Sequence, residues 1–284
     1  MAITVRSARA SDALDCGRIC FQSFAAIADR HRFPRDFASV EEATHLISSL
    51  IESAFFFGVV AERDGEVIGS NFLDERSTVK SVGPVTVDPR AQDEGVGRAL
   101  VTATLDRADE IRAPGVRLMQ STYHNRSLSL YAKMGFVYRS SFAVVQGTPP
   151  QCDAHLPIRR AGSSALDACD DLCRAAHGFD RHGEVRESIA AQIARVVERE
   201  GRVTAYTTGI GLFGHSVAES NADLQALIAS ADEYPGTGFL LPLHNASLLQ
   251  WCLAQGLRVV SMMNLMTIGQ YYEPRMPYLA SVGY

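Results

Sequence analysis

The residues with the most pronounced chemical spacing are Gln92, Gly95 and Gly97, in the run Gln92-Asp93-Glu94-Gly95-Val96-Gly97-Arg98. An alternating apolar run, 82–88, precedes them and stops at Pro89; an amphipathic helical pattern, 95–111, follows. Glycines at such a strand-to-helix turn let the backbone bend sharply and approach a ligand closely. The free amides of the first helical turn then form an anion site suited to a pyrophosphate. The pattern is not a dinucleotide-binding fingerprint, which needs a third glycine, nor a P-loop, which needs Gly-Lys-Ser/Thr. Taken alone it also fits a plain tight turn.

A second stretch changes the reading. From Gly97 it is 28 residues to Asn125, which opens Asn125-Arg126-Ser127-Leu128-Ser129-Leu130-Tyr131-Ala132-Lys133-Met134-Gly135-Phe136. Together the two stretches resemble the GNAT superfamily of acyl-CoA-dependent N-acetyltransferases. In that family the first is the Gln/Arg-x-x-Gly-x-Gly/Ala pyrophosphate loop, and the second is the Asn…Leu-Tyr…Gly-Phe segment. The resemblance implies acetyl-CoA as cosubstrate and no metal. It implies that the amides of Gly95, Val96, Gly97 and Arg98, with Gln92, hold the pyrophosphate. Val85, Thr86 and Val87 would lie on the strand that pairs with the pantetheine arm, and Asn125 and Ser127 would meet the pantetheine region. Tyr131 would protonate the departing thiolate as general acid. The residues alone also allow Tyr131 to be a core aromatic.

Acyl transfer to an amine needs a neutral nucleophile, whereas an alkylammonium has a pKa of about 10.4. A base is therefore expected. Glu75 is the first candidate, with Asp74, Asp88 and His124 behind it; each also fits an ordinary loop or strand-end residue. The segment 27–37 joins two helical patterns that wall the acceptor site in the superfamily. His31 and Phe33, with Phe37, are expected to line a partly apolar acceptor site, and Asp36 to meet a cationic amine. A capped, hydrophobically anchored inter-helix loop fits the same residues. His215 and Glu219 are weaker candidates for the same site.

These residues must be positioned by a layered fold. Residues 12–30 and 40–52 have helical patterning, and 56–62 and 67–74 read as strands joined by an Asp64-Gly65 hairpin turn. Residues 116–121 and 136–145 read as strands and 128–134 as a helix, giving an α/β (α+β layered) domain with a mixed sheet flanked by helices. The opening run 3–20 is echoed from Leu156, and His124-Asn125-Arg126-Ser127-Leu128 is echoed by His244-Asn245-Ala246-Ser247-Leu248. Two ordered echoes indicate two GNAT-like domains in tandem: a catalytic domain 1–147, a linker 148–154 and a domain 155–284. The second copy looks degenerate. Gly214-His215-Ser216-Val217-Ala218-Glu219 is expected where a pyrophosphate loop would fall, Trp251 stands where the first copy has Tyr131, and the copy is shorter where the first has its Asp-Gly hairpin, with glycine-rich, strand-like sequence at 201–214 in its place.

Composition limits the alternatives. The chain has 284 residues, a net charge of -5 and no run of Lys and Arg, against a nucleic-acid or polybasic membrane role. No secretory signal and no membrane-length apolar run is seen. Six cysteines without such a signal fit reduced thiols in a cytoplasm. Cys16 and Cys20, and Cys169, Cys173 and His177, share helix faces, read as buried apolar positions rather than as a metal set. The expectation is a cytoplasmic enzyme, monomer or homodimer, moving an acetyl group to a primary amine of a small molecule. The alternatives are a protein lysine or N-terminal acetyltransferase and a non-catalytic acyl-CoA-binding regulatory module.

Overall fold

The structure, a computed structural model, describes residues 3–151 and 158–283. The expected linker positions 152–154 and the start of the second echo at Leu156 lie outside the described residues. The chain forms two compact units that are not two uninterrupted pieces. The first comprises Met1–Glu75, Val79–Val137 and Met266–Gln270, and the second Arg76–Thr78, Tyr138–Leu265 and Tyr271–Tyr284.

The first unit runs β1 (Thr4–Ser7), α1 (Ala13–His31), α2 (Val40–Glu52), β2 (Phe56–Arg63), β3 (Glu66–Asp74), β4 (Lys80–Val82), β5 (Thr86–Val87), α3 (Val96–Glu110), β6 (Gly115–Ser121) and α4 (Asn125–Lys133). Its strands lie in the order β1-β2-β3-β4-β6, with β4 and β6 parallel. The β2–β3 hairpin forms because Asp64 and Gly65 both take positive φ, 55° and 83°, matching the twist of the flanking strands. Alternation along β2 sends Val60 to a cluster with Cys16, Cys20, Ala43 and Ile47 of α1 and α2, while Val59 and Ala61 pack with Val96 and Leu100 of α3.

Two features allow the helices this close. A Cβ on Gly17 would lie 2.3 Å from Thr44 Oγ1, so α1 crosses α2 only with glycine at that point. On the other face, the buried Asn71 donates to Thr104 Oγ1 (2.9 Å) and to the Leu100 carbonyl (3.3 Å), so β3 is tied to α3. Ser39 caps α2 by accepting from Glu42 N (3.3 Å).

The second unit holds β7 (Val137–Gln146) almost entirely, then β8 (Ile158–Arg160), α5 (Leu166–His177), α6 (His182–Ala190), β9 (Arg195–Arg199), β10 (Arg202–Thr207), β11 (Ser216–Ala218), α7 (Asn221–Ala229), β12 (Phe239–Pro242), α8 (Ala246–Ala254), most of β13 (Arg258–Gly269), and β14 (Tyr278–Leu279). The element order of the first unit repeats here, and the core gathers Val197, Ala205, Leu224, Leu227, Phe239, Leu241 and Leu248. The shorter stretch still holds a hairpin, β9–β10, which begins before the strand-like sequence expected at 201–214 and turns at Glu200-Gly201 with φ of 51° and 75°. A Glu-Gly pair serves as well as Asp-Gly where both residues must adopt positive φ.

The expected strand 82–88 is broken into β4 and β5 around Gly83, whose φ is 136°. The helix expected at 128–134 starts three residues earlier, which brings Asn125 into its first turn.

Candidate active site

β4 and β6 pair only through Lys80↔Val116 and Ser81↔Arg117. Past that point the chain turns away, and β5 pairs only with β3, through Gly69↔Val87 and Ser70↔Thr86. Two neighbouring parallel strands thus diverge, which leaves backbone donors and acceptors facing a wedge. Gly69 permits this arrangement, since a Cβ there would meet the Thr86 carbonyl at 2.6 Å. Of the three residues expected to line the wedge, Val85 and Val87 pack into flanking apolar clusters. The Thr86 hydroxyl is buried, 2.9 Å from Ser70 Oγ. The contribution these residues can make to a ligand is therefore through the backbone.

The loop after β5 begins with Asp88, which accepts from Arg90 N (2.9 Å) and from the Arg90 guanidinium; the pair holds the Asp88 carboxyl below its ordinary range. Asp93 and Gly95 then take positive φ, 70° and 88°, and α3 starts at Val96. No side chain caps α3, and the first amide bonded back into the helix is that of Ala99, to the Gly95 carbonyl (3.0 Å). The preceding amides point outward at the positive end of a 15-residue helix. Val96 is buried and anchors the turn, whereas Gly95 and Arg98 are exposed. A Cβ on Gly97 would come within 3.3 Å of Leu130 Cδ2, so the glycine also lets α3 approach α4.

Two arginines that sequence reasoning missed brace this loop. Arg126 donates from Nη1 to Gln92 Oε1 (3.1 Å) and pairs with Asp93, while Arg63 of the β2–β3 hairpin pairs with Glu94. Each neutralises an acidic side chain beside the amide turn. Their signal was faint, because both partners lie more than thirty residues from the arginine that meets them.

Tyr131 lies on α4 six residues past Asn125, about 9 Å at 1.5 Å per residue. It packs with Leu73, Val101, Leu118 and Phe136, its ring edge-on to Phe136 at 5.8 Å. Burial raises its pKa well above the ordinary phenol value, so the proton stays on oxygen at neutral pH. The Asn125 side chain is exposed and makes no hydrogen bond among the described residues. Ser127 donates to the His124 carbonyl (2.9 Å) and accepts from Gln120 Nε2 (3.1 Å), which fixes the start of α4.

The base candidates separate sharply. Glu75 is gripped by Arg107 of α3, with Nε at 2.8 Å and Nη2 at 3.3 Å, and is thereby engaged in holding α3 to the end of β3. Asp88 is committed to Arg90. His124 is driven towards its neutral form by burial and then by Arg126, His31 and Arg30.

The α1–α2 loop brings the three expected acceptor residues together. α1 ends where Arg32 takes φ of 59° and its amide returns to Ala28. Phe33 stacks on Tyr123 at 4.3 Å with planes 9° apart, and His31 lies 5.6 Å from the same ring. Arg35 points outward to a bidentate pair with Asp29, and Phe37 turns inward against Phe24. Between them Asp36 places Oδ2 in a buried position with no hydrogen-bond partner. Burial pushes its carboxyl up to about 6. Tyr123, two residues past the end of β6 and two before Asn125, is the hub that the sequence did not reveal.

The second unit closes the corresponding features. Residues 216–218, expected in a loop, are strand β11, and α7 begins at Asn221. Its N-terminus is satisfied by its own cap: Ser220 Oγ accepts from Asp223 N (3.2 Å) and donates to Asp223 Oδ2 (2.8 Å). Asn245 caps α8 and bonds Asn221, unlike the free Asn125. Trp251 packs against the second core. His215 is buried against the Tyr206 hydroxyl (2.9 Å), and Glu219 pairs with Arg202. Cys16, Cys20, Cys169, Cys173 and Cys252 are buried free thiols, and Cys152 lies outside the described residues. Among the described residues no group of three His, Cys, Asp or Glu could hold a metal, and no helix is long and apolar enough to cross a membrane.

Residues 53–138, which contain the hairpin, the wedge, the amide turn and α4, match the family model of the acetyltransferase (GNAT) domain. Residues 53–138 are thereby recognised as a GNAT acetyltransferase domain. A mycothiol acetyltransferase of Thermomonospora curvata is 33% identical to this chain over 92 residues, which is 32% of the chain and only 31% of that relative's length. Both GNAT folds have counterparts in solved structures. A Pyrococcus horikoshii protein assigned as an acetyltransferase superposes with a TM-score of 0.75, at 16% identity, over 99% of this chain and 95% of its own. A tandem GNAT protein from the clavulanic acid biosynthesis pathway gives 0.57, at 15% identity, over 94% and 98%. At these identities the two structures establish the fold alone.

Proposed function

We propose that the first unit transfers an acetyl group from acetyl-CoA to a primary amine of a small molecule. The observation that carries this reading is the uncapped amide turn at Gly95–Arg98 beside the diverging β5 and β6, with Tyr131 on the adjoining α4. Acetyl-CoA fits these residues in kind. The outward amides and the helix dipole suit its pyrophosphate, the free edge of residues 84–87 suits an amide-bearing pantetheine, and Asn125 has side-chain donors and an acceptor to spare. Bound there, acetyl-CoA supplies a thioester carbonyl open to an amine.

The chain's own residues then have three tasks. The wedge positions the thioester, the α1–α2 loop with His31, Phe33 and Asp36 positions the amine, and Tyr131 delivers its phenolic proton to the thiolate sulfur. A small-molecule acceptor is favoured by the name of the Thermomonospora relative and by the aromatic walls of the loop. We assign the catalytic domain to residues 1–147, the connection to 148–154 and a non-catalytic GNAT fold to 155–284, although among the compact units residues 138–147 fall with the second and 266–270 with the first. The self-capped α7 and the half-buried Trp251, packed against the second core, support that assignment.

Calorimetry with acetyl-CoA on the wild type and on Gly97→Asp, followed by a thiol-release screen over amines, tests the reading. The variant puts a carboxylate among the amides and is expected to abolish binding. Wild-type protein that fails to bind acetyl-CoA would overturn the reading. Binding without turnover of any small or peptide amine would leave an acyl-CoA-binding module.

A further inference from the structure

A buried carboxylate oxygen without a hydrogen-bond partner is costly, and folds rarely retain one without use. Asp36 Oδ2 is such an atom, and no cation pairs with Asp36 among the described residues. Its neighbours explain why it is held there. Arg35 turns outward to Asp29, and Phe37 locks inward on Phe24, so the intervening residue has one direction left. Arg32 holds the start of the loop through its left-handed backbone and its bond to Ala28. The loop is thus fixed on both sides of Asp36.

The groups that face Asp36 are Cys20 from α1 and Tyr123 from the segment after β6; burial first, and then the Asp36 charge, raises the pKa of both, so both remain neutral beside it. His124, next to Tyr123, is itself driven towards neutrality, with His31, Arg30 and Arg126 as its charged surroundings. Asp36 therefore confronts a wall of neutral and aromatic groups. What the wall lacks is a cation. Of the other carboxylates considered for proton transfer, Glu75 and Asp88 already have one each.

We propose that Asp36 is the proton acceptor of the acyl transfer, taking a proton from the acceptor's ammonium group while Phe33 and Tyr123 flank the carbon next to the nitrogen. The proposal rests on the acetyl-transfer reading. The ammonium gives one proton to Asp36, which passes it to water, and the freed nitrogen bonds to the thioester carbon. As the carbon–sulfur bond breaks, a second proton leaves nitrogen for water. Sulfur takes the Tyr131 proton, and Tyr131 recovers one from water. The balance is one amide, one free thiol and one proton released. A carboxyl near 6 is ionised at neutral pH yet basic enough to accept a proton, as a general base requires.

The test compares wild type with Asp36→Asn, an isosteric change, by acetyl-CoA calorimetry and by the pH dependence of kcat/KM for two acceptors of different amine pKa. The expected result is acetyl-CoA affinity within about two-fold of wild type, with kcat reduced on the order of 10²-fold or more. The wild-type profile should fall below about pH 6 for both acceptors, with that limb missing in the variant. An Asp36→Asn enzyme that keeps its kcat, or that raises only KM and keeps the limb, overturns the proposal. If the variant does not fold, a wild-type profile flat down to pH 5 overturns it without any variant. Wild type that neither binds acetyl-CoA nor turns over an amine refutes the underlying reading, a result separable from the others by calorimetry alone.

Discussion

Arg126 and Gln92 meet across 34 positions of sequence: the guanidinium Nη1 of the first donates to the side-chain oxygen of the second at 3.1 Å, and the same arginine pairs with Asp93. One side chain on α4 thereby spans to the turn that opens α3, and it cancels a negative charge that would oppose a pyrophosphate. Arg126→Ala should weaken acetyl-CoA binding by about three- to ten-fold, most at low salt, since the group is about half exposed and screened accordingly. Titration calorimetry at two ionic strengths measures this; equal affinities at both would refute it.

Tyr131→Phe keeps the ring that packs on Phe136 and removes only the hydroxyl. The expectation is a fall in kcat on the order of 10²- to 10⁴-fold with acetyl-CoA affinity and Tm close to wild type. A variant with full activity would return Tyr131 to a purely structural role.

Asp36 should also leave a trace in stability. Its folded pKa, about 6, lies above the unfolded value of about 3.9, so the folded state holds the proton more tightly. Its contribution to stability is therefore greatest below pH 4, declines between roughly pH 4 and 6, and is a full penalty above that. Asp36→Asn should raise Tm at pH 8 and leave it unchanged at pH 4, a gain of about 1–2 kcal/mol after allowance for partial solvent contact. A variant less stable than wild type at pH 8 would contradict this.

The opposite sign applies to Asp12. Its side chain is nearly buried and accepts from both Arg6 nitrogens, at 2.7 and 2.9 Å, and these bonds hold its carboxyl below the usual range. That stability is present above the unfolded pKa of about 3.9 and lost as pH falls through the lower folded value. Asp12→Asn should lower Tm at pH 7 by several degrees, with the difference shrinking towards pH 2. Thermal unfolding across that range is the check.

Calorimetry should also count one acetyl-CoA per chain, because α7 is capped by Ser220 and offers no outward amides comparable to those before α3. Two equivalent sites would show that the second fold has kept a coenzyme pocket.

Much of this was legible in the residues. Asp64-Gly65 and Ser39 mark a turn and a cap through local chemistry alone, and the glycine spacing at 95 and 97 announces the amide turn before any coordinates. His31, Phe33 and Asp36 could be grouped because they share one loop. What could not be read was pairing across distance. Nothing near Glu75 in sequence signals Arg107, which occupies its carboxylate, and nothing near Phe33 signals Tyr123. The Glu200-Gly201 hairpin escaped notice because glutamate is an uncommon residue for a positive-φ turn.

The segment Met266–Gln270 belongs to the first unit, where Met266 joins the cluster around Tyr131 and the Gln270 amide bonds the Pro114 carbonyl at 2.9 Å. A growing polypeptide usually folds its leading domain while the remainder is still on the ribosome. Here the first unit is completed only by residues 266–270, more than 120 positions beyond Val137. Until those residues have been made its Gly115 edge stays open, so this unit cannot finish folding before most of the second has been synthesised.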